Sequence, residues 1–160
     1  MKTLYLGPEY DLSDIQGKDT NYNEIAHYLV ARKTVAIFQG RSEAGPRALG
    51  NRSILYDPRD PNGKDKVNKI KRRESFRPFA ASVLLAAAPL WFDMGGLYES
   101  PYMMYAMDSL PDVRDMIPAV LHVDHTCRIQ TVTSKQNLHY FNLITAFYQI
   151  TDVPMLFNTS

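Results

Sequence analysis

The stretch GRSEAGPRALGNRSILYDPRDPNGKDKVNKIKRRESFRP, residues 40–78, holds the most informative pattern in this chain. It contains eleven of the eighteen Lys and Arg residues but only five of the seventeen Asp and Glu residues, so its net charge is +6. The remaining residues together carry −5. Such a concentration of positive charge predicts an anion-binding site, and the glycines at positions 40, 45 and 50 would let backbone amides approach the anion closely.

Bulk composition places the chain among ordinary globular domains. It has 160 residues, of which 45% are hydrophobic, and a formal net charge of +1. No apolar run approaches the ~18 residues that a membrane span requires, and the N-terminus lacks the features of a secretory signal. The single cysteine, Cys127, excludes an internal disulfide framework. We therefore expect a soluble, cytoplasmic protein that does not bind membranes.

Hydrophobic spacing divides the chain into an irregular lead-in, residues 1–20, and one domain, residues 21–160. Several strands with two or three helices that do not strictly alternate predict an α/β domain with a mixed sheet flanked by helices. The chain ends on VPMLFNTS, a buried strand followed by polar residues. We interpret this ending as truncation of the domain at its C-terminal side. One helix is predicted to begin at Asn23, with Asn21 or Asn23 as its cap, and two more helices are predicted over residues 64–73 and 138–150. The predicted strands cover residues 34–38, 53–56, 79–85, 102–107, 119–123, 128–132 and 153–157.

Three cations stand close together in the second half of the basic stretch. Lys71 and Arg73 straddle the end of the predicted helix, and Arg77 lies in the extended segment after it. Lys offers a compact charge and Arg a planar fork, so the three could hold a triphosphate or a similar anion. A solvated basic helix end that complements the helix dipole explains the same pattern.

Arg47 occupies the centre of GRSEAGPRALG, a glycine- and proline-shaped loop directly after a predicted strand. Ligands often bind at this position in α/β proteins, although an ordinary turn would read the same way. The loop does not follow the Walker pattern GxxxxGK[ST]. The terminal FNTS likewise offers either ligand-binding groups or a polar turn.

A segment rich in polar groups, HVDHTCRIQT, covers residues 122–131. His122, Asp124 and His125 would make a metal site only if they faced one way, whereas strand alternation places His125 opposite the other two. We therefore expect no metal site in the protein. Cys127 has no partner in the sequence that would activate it as a nucleophile.

These segments occur in an order that resembles a known family. GRSEAGPRALGNRSILYDPR, VNKIKRRESFRPFAASVL, IPAVLHVDHTCRIQTV and VPMLFNTS together resemble the C-terminal domain of the NodU/TobZ/CmcH-type O-carbamoyltransferases. YLGPEY near the start is similar to the lead-in of that domain. The resemblance therefore covers nearly the whole chain.

The resemblance implies a YrdC-like fold with a twisted mixed sheet, and an activity that forms carbamoyl adenylate from ATP and carbamoyl phosphate. Mg²⁺ is expected to accompany ATP, held by phosphates and water. A TsaD-like domain, in another chain or missing from this one, would transfer the carbamoyl group to an acceptor hydroxyl that this sequence does not identify. The implied catalytic residues are Lys71, Arg77 and Arg47, and the implied substrate- and nucleotide-binding residues are Arg73, Arg128, Asn158 and Ser160.

The chain departs from the family pattern at a few positions. Ala44 replaces a Phe, and His125-Thr126-Cys127 replaces Gly-Thr-Ala, which puts a bulky residue in a tight turn near Arg128.

Two other functions fit the residues less well. A nucleic-acid-binding module would use the same basic stretch, but few aromatics interleave its cations. A non-catalytic partner subunit would lend only a fold and a surface.

Overall fold

The fold is described from a computed structural model that covers residues 5–8 and 20–160. Most of the predicted lead-in, residues 1–4 and 9–19, lies outside these described residues. The helices are α1 (Tyr22–Val30), α2 (Gly63–Ile70) and α3 (Leu138–Thr151), with short 3₁₀ helices over Ala88–Leu90 and Pro111–Met116. The strands are β1 (Val35–Phe38), β2 (Arg52–Tyr56), β3 (Ala80–Leu84), β4 (Ala106–Asp108), β5 (Thr126–Val132) and β6 (Met155–Thr159).

The strands form one open sheet in the order β1-β2-β6-β3-β5-β4. β3 and β5 run parallel, and the other neighbouring pairs are antiparallel. Parallel neighbours need a long crossover, and here the chain between β3 and β5 passes through β4 and both 3₁₀ helices. The predicted α/β fold with a mixed sheet and flanking helices is confirmed.

Alternation along the central strands separates an apolar face from a polar one. Ala81, Val83 and Ile129 are fully buried in the main hydrophobic core. Ser82 and Gln130 point the opposite way, where Ser82 Oγ donates to Gln130 Oε1 at 2.7 Å. α1 and α3 pack against each other, and α3 contacts β3 and β6. Within the described ranges, no helix combines the length and the apolar character needed to cross a bilayer.

Asparagine caps start the two longer helices. Asn21 Oδ1 accepts from the Glu24 amide at 2.9 Å and Asn137 Oδ1 from the Tyr140 amide at 3.0 Å, which satisfies amides that have no partner inside the helix. Of the two predicted caps for α1, Asn21 is therefore the one used. α2 ends at Ile70, three residues earlier than predicted, because the chain turns sharply at Arg72, whose φ is 52°.

Three local predictions are wrong. Residues 119–123 form turns and not a strand. Ala119 and Val120 are fully buried beside the start of α2, so this segment is apolar because it is buried and not because it is a strand. The predicted strand over residues 102–107 is too long, because only residues 106 and 107 of this range belong to β4. The last strand extends further than predicted, so Asn158 and Thr159 belong to β6 and do not follow it.

Candidate functional site

Strand pairing brings two polar side chains to either side of a small one. Ala80 of β3 pairs with Asn158 of β6 on one side and with Arg128 of β5 on the other. Directly paired residues point to the same face of a sheet, so Asn158 and Arg128 flank Ala80. Because the alanine side chain is short, the row leaves a hollow between its two polar neighbours.

This hollow is a pocket of about 140 Å³, which we call the arginine pocket. The loop between β1 and β2 contributes Arg47 to its wall, and the turn after α2 contributes Arg73. The end of β6 closes another side. Five of the seven predicted site residues thus line one pocket: Arg47, Arg73, Arg128, Asn158 and Ser160.

The loop that carries Arg47 is organised by the carboxylate of Glu43. Its Oε1 accepts hydrogen bonds from the backbone amides of Leu49 at 2.7 Å, Asn51 at 2.9 Å and Arg52 at 3.3 Å. A charged acceptor shared by several amides holds a loop strongly. The loop is therefore closed on itself, and Arg47 projects from a defined backbone.

The turn that carries Arg73 is organised by Asn68, a buried residue of α2. Arg73 Nε donates to Asn68 Oδ1 at 2.6 Å. The Asn68 amide group donates in turn to the carbonyls of Ser75, at 3.0 Å, and Arg77, at 3.2 Å. The guanidinium of Arg73 lies over the ring of Phe79, 4.2 Å from its centroid. Burial and then the neighbouring Arg77 lower the pKa of Arg73, which still remains protonated.

Two of the predicted residues lie outside the lining of the arginine pocket. Lys71 is half-buried at the C-terminal cap of α2, and burial followed by the charge of Arg73 lowers its pKa. Arg77 is exposed, and its Nε lies 2.8 Å from Glu74 Oε2 in an ion pair. Of Lys71, Arg73 and Arg77, only Arg73 therefore lines the arginine pocket.

Asn158 joins the pocket to the Arg47 loop. Its side chain is buried, and Nδ2 donates to the Ala48 carbonyl at 3.0 Å and to Ser82 Oγ at 2.9 Å. This orientation leaves Oδ1 as an acceptor. Asn158 Oδ1 and Arg47 Nε are both buried and have no hydrogen-bond partner within the part of the chain that the structure describes. Such groups are rare in folded proteins and point to a polar ligand at this site.

Several residues of the site escaped sequence reasoning. His122 and Met103 both line the arginine pocket. A second, mainly apolar pocket of about 260 Å³ shares Arg47 with it and includes Tyr102 and Met104. Apolar residues carry no chemical signature that separates a ligand surface from a strand flank. For His122, its place two residues before a predicted turn and six before Arg128 was the available signal.

Much of the positive charge in residues 40–78 has intramolecular partners. Arg59 forks onto Asp57, with distances down to 2.7 Å, and Lys66 Nζ lies 2.8 Å from Asp60. Arg52 donates to the Gln39 carbonyl at 2.7 Å and stacks on Phe38. The charge cluster therefore combines structural cations with the arginines of the pocket, and does not form one continuous basic surface.

The segment over residues 122–131 does not provide a nucleophile. Burial raises the pKa of the Cys127 thiol to about 12, so it stays protonated at neutral pH. The described residues contain no group of three or more His, Cys, Asp or Glu side chains that could hold a metal ion. The donors that face the arginine pocket are guanidinium groups, which suit an anion, whereas Asn158 presents its Oδ1 acceptor.

Comparison with known proteins agrees with this chemistry. The family described as "Carbamoyltransferase C-terminus" matches residues 26–160. The chain belongs to this carbamoyltransferase C-terminal family. The domain is 42% identical to nodulation protein NolO of Bradyrhizobium diazoefficiens, over 92% of the chain and 27% of that relative. It is 40% identical to nodulation protein U of Rhizobium tropici, over 99% of the chain and 28% of that relative.

The carbamoyltransferase domain also has an archaeal relative. An uncharacterized protein of Methanocaldococcus jannaschii is 38% identical over 98% of the chain and 28% of its own length. The chain thus spans little more than a quarter of these curated relatives. The resemblance stated from four sequence segments is confirmed at the level of the family.

Proposed function

We propose that this domain forms carbamoyl adenylate from ATP and carbamoyl phosphate, and that the arginine pocket binds the phosphate groups. One observation carries the proposal: Arg47, Arg73 and Arg128 come from three separate segments and line a single small pocket. At about 140 Å³ the pocket is smaller than the ~300 Å³ at which sites for drug-sized ligands begin. It therefore suits a phosphate or pyrophosphate group better than a whole nucleotide.

The reaction needs positive charge more than it needs a proton-transferring group. Water first hydrolyses carbamoyl phosphate, which releases inorganic phosphate and leaves carbamate. A carbamate oxygen then attacks the α-phosphorus of ATP, the bond from that phosphorus to the bridging oxygen breaks, and pyrophosphate leaves. Attacking and attacked groups are both anionic, so cations must screen their repulsion and stabilise the departing pyrophosphate. Three guanidiniums in one pocket supply that charge.

Lys71 and Arg77, the other residues predicted to be catalytic in this segment, have smaller roles in this proposal. Burial and then the nearby charge of Arg73 lower the pKa of Lys71, and the influence of Arg73 places Lys71 close enough to add to the field around the phosphates. Arg77 would have to leave Glu74 before it contacted a ligand. We therefore expect Arg73 to contribute most of the three and Arg77 least.

The rest of the nucleotide would lie in the adjoining pocket lined by Tyr102 and Met104. An aromatic ring and a thioether offer a flat, polarizable surface for a base. Mg²⁺ would arrive with ATP and be held by phosphate oxygens and water, which requires no protein cage. When bound, it would neutralise part of the phosphate charge.

Transfer of the carbamoyl group to an acceptor hydroxyl would take place on a separate TsaD-like domain. The relatives are far longer than this chain, which leaves room for such a domain in them. Of the two alternative functions, nucleic-acid binding is disfavoured because Arg52, Arg59 and Lys66 are engaged within the fold. A non-catalytic partner subunit makes the opposite prediction for nucleotide binding.

The proposal is tested by calorimetric titration with ATP and by pyrophosphate release in the presence of carbamoyl phosphate. Replacing Arg47, Arg73 or Arg128 with Ala should weaken ATP binding by about ten- to a hundredfold each, because each removes a charge-assisted hydrogen bond worth ~1.5–3 kcal/mol. Lys69→Ala is the matched control, since this exposed cation at the end of α2 does not line the pocket.

Two results would contradict the proposal. ATP binding that is unchanged in all three arginine variants would place the nucleotide elsewhere. No ATP binding by the folded chain would favour the non-catalytic partner, and co-purification with a separately encoded transfer domain would then distinguish that function.

A further inference from the structure

His122 is the one histidine among the described residues that line the arginine pocket. It begins a tight turn that leads into β5: its amide donates to the Thr126 carbonyl at 2.8 Å, and the His125 amide donates back to its carbonyl at 3.1 Å. The backbone of His122 is therefore fixed relative to Arg128, two residues into the strand from Thr126. None of the assigned roles uses this imidazole.

Asp124 fixes the direction of the hydrogen bonds on the Thr126 side of the His122 ring. Thr126 Oγ1 lies 2.8 Å from Asp124 Oδ1, and the Thr126 amide donates to the same oxygen at 3.0 Å. These two hydrogen bonds lower the pKa of Asp124, so its carboxylate is ionised at neutral pH and can only accept. The single hydroxyl proton of Thr126 therefore goes to Asp124.

The ring has two neighbouring acceptors, and only its charged form can donate to both at once. His122 Nδ1 lies 2.9 Å from Thr126 Oγ1, which has already given its proton away, so Nδ1 has to carry a hydrogen. Nε2 lies 3.3 Å from the Phe79 carbonyl oxygen, an acceptor without a proton. An imidazole that donates from both nitrogens is the charged imidazolium.

The charges around the ring oppose one another. Asp124 favours the imidazolium, whereas the guanidiniums of Arg47, Arg73 and Arg128 line the same pocket and disfavour it. Lys64 of α2 adds a further cation nearby, as its Nζ donates to the Leu121 carbonyl at 2.6 Å. An anion in the pocket would neutralise the arginines and shift this balance toward the charged ring.

We infer that His122 supplies a fourth, proton-dependent positive charge to the arginine pocket, and that binding of a phosphate-type anion is coupled to proton uptake at its imidazole. The inference rests on the proposed function, because it takes the pocket to be the phosphate site. Since coupling is reciprocal, protonation of His122 must strengthen anion binding by the same factor by which the anion favours protonation.

Sulfate is a suitable probe, because its own charge is constant over the range in which imidazole titrates. Nuclear magnetic resonance titration of the four histidines, with and without sulfate, should show one ring whose titration midpoint moves to higher pH when sulfate is present. His122→Gln assigns that ring. Sulfate affinity of the wild type should fall about five- to tenfold between about pH 6 and pH 8, the scale of one partly exposed charge. In His122→Gln it should change less than about twofold.

Asp124→Asn separates this coupling from plain electrostatics. Removal of a negative charge near an anion site should by itself strengthen sulfate binding. Here it should weaken binding at neutral pH by about threefold or more, because the loss of the carboxylate charge beside His122 favours the neutral ring. His125→Gln is the control: this exposed histidine lies in the same turn but does not line the pocket, and its loss should leave the pH dependence intact.

The outcomes distinguish the inference from the proposed function. Sulfate binding with equal pH dependence in the wild type and His122→Gln would overturn the inference and leave the anion site in place. Stronger sulfate binding by Asp124→Asn at neutral pH would also overturn it. Absence of sulfate binding by the wild type at about pH 6 would overturn both.

Discussion

His125 holds a backbone conformation that L-amino acids rarely adopt. Its φ is 64°, in the left-handed region, and its carbonyl accepts from both the amide and the hydroxyl of Ser109, at 3.1 and 2.7 Å. Only glycine adopts this conformation without steric cost. The turn therefore forms with strain in the backbone at His125.

Replacing His125 with Gly should raise the free energy of unfolding by about 0.5–1 kcal/mol, because relief of left-handed strain outweighs the extra entropy of an unfolded glycine. Chemical denaturation followed by circular dichroism measures the change. Val123→Gly in the same turn is the control. Val123 is 99% exposed and is not among the residues with positive φ, so glycine there should destabilise by about 0.5–1 kcal/mol. Destabilisation by both variants would show that the turn stores no strain.

At the scale of elements, the loop between β1 and β2 is a folded unit held by one carboxylate. Glu43 accepts three backbone hydrogen bonds from residues 49–52, and Asn51 Nδ2 donates back to the Arg41 carbonyl at 2.6 Å. The loop then docks on the sheet through the bond from Asn158 to the Ala48 carbonyl. Arg47 reaches the pocket because these bonds fix both ends of its segment.

Glu43→Ala should therefore lower both stability and anion affinity. The amides of Leu49 and Asn51 lose their acceptor in a largely buried setting, which costs about 2–3 kcal/mol of unfolding free energy. ATP affinity should fall together with it, as Arg47 loses its defined position. Glu43→Gln retains an acceptor oxygen and should lose only about 1 kcal/mol. An equal loss in both variants would mean that charge, and not acceptor geometry, holds the loop.

At the scale of the whole molecule, cations of the basic stretch pair with buried carboxylates inside the fold. Asp60 is fully buried, accepts from Tyr56 and Lys66 at 2.7 and 2.8 Å, and lies 3.7 Å from Arg32 of the loop after α1. Burial alone would raise the pKa of Asp60, but the hydrogen bonds from Lys66 and Tyr56 outweigh it and lower the pKa to about 2. This cluster ties α2 to the end of β2 and to the α1–β1 loop.

The cluster predicts a specific acid sensitivity. A carboxyl whose pKa is depressed in the folded state adds stability above its ordinary value of 3.8, and that stability is lost as pH falls toward 2. Asp60→Asn should cost about 2 kcal/mol at neutral pH and should flatten the fall in stability below about pH 4. Denaturation midpoints measured across this range test it. Asp115→Asn, at an exposed site, should leave the acid profile unchanged.

Local pattern was enough for most of the secondary structure. β-branched and apolar runs identified β1, β2, β3, β5 and β6, and helical spacing identified α1, α2 and α3, because periodicity reports which side of an element is buried. It failed at residues 119–123, where buried turns are as apolar as a strand. The excess of cations over residues 40–78 predicted an anion-binding site, which stays a prediction; Arg47 and Arg73 of this stretch line one pocket.

Only the tertiary structure could decide which cations line the arginine pocket. Lys71, Arg73 and Arg77 are equivalent in sequence, yet Asn68 and Phe79 hold Arg73 at the pocket while Glu74 engages Arg77. The neighbourhood of Asn158, Ala80 and Arg128 depends on strand order and register, which join segments almost 80 residues apart. Composition and spacing determine what each segment can form, because those preferences are local. The site depends on pairings between distant segments, and their partners are fixed only when the whole sheet assembles.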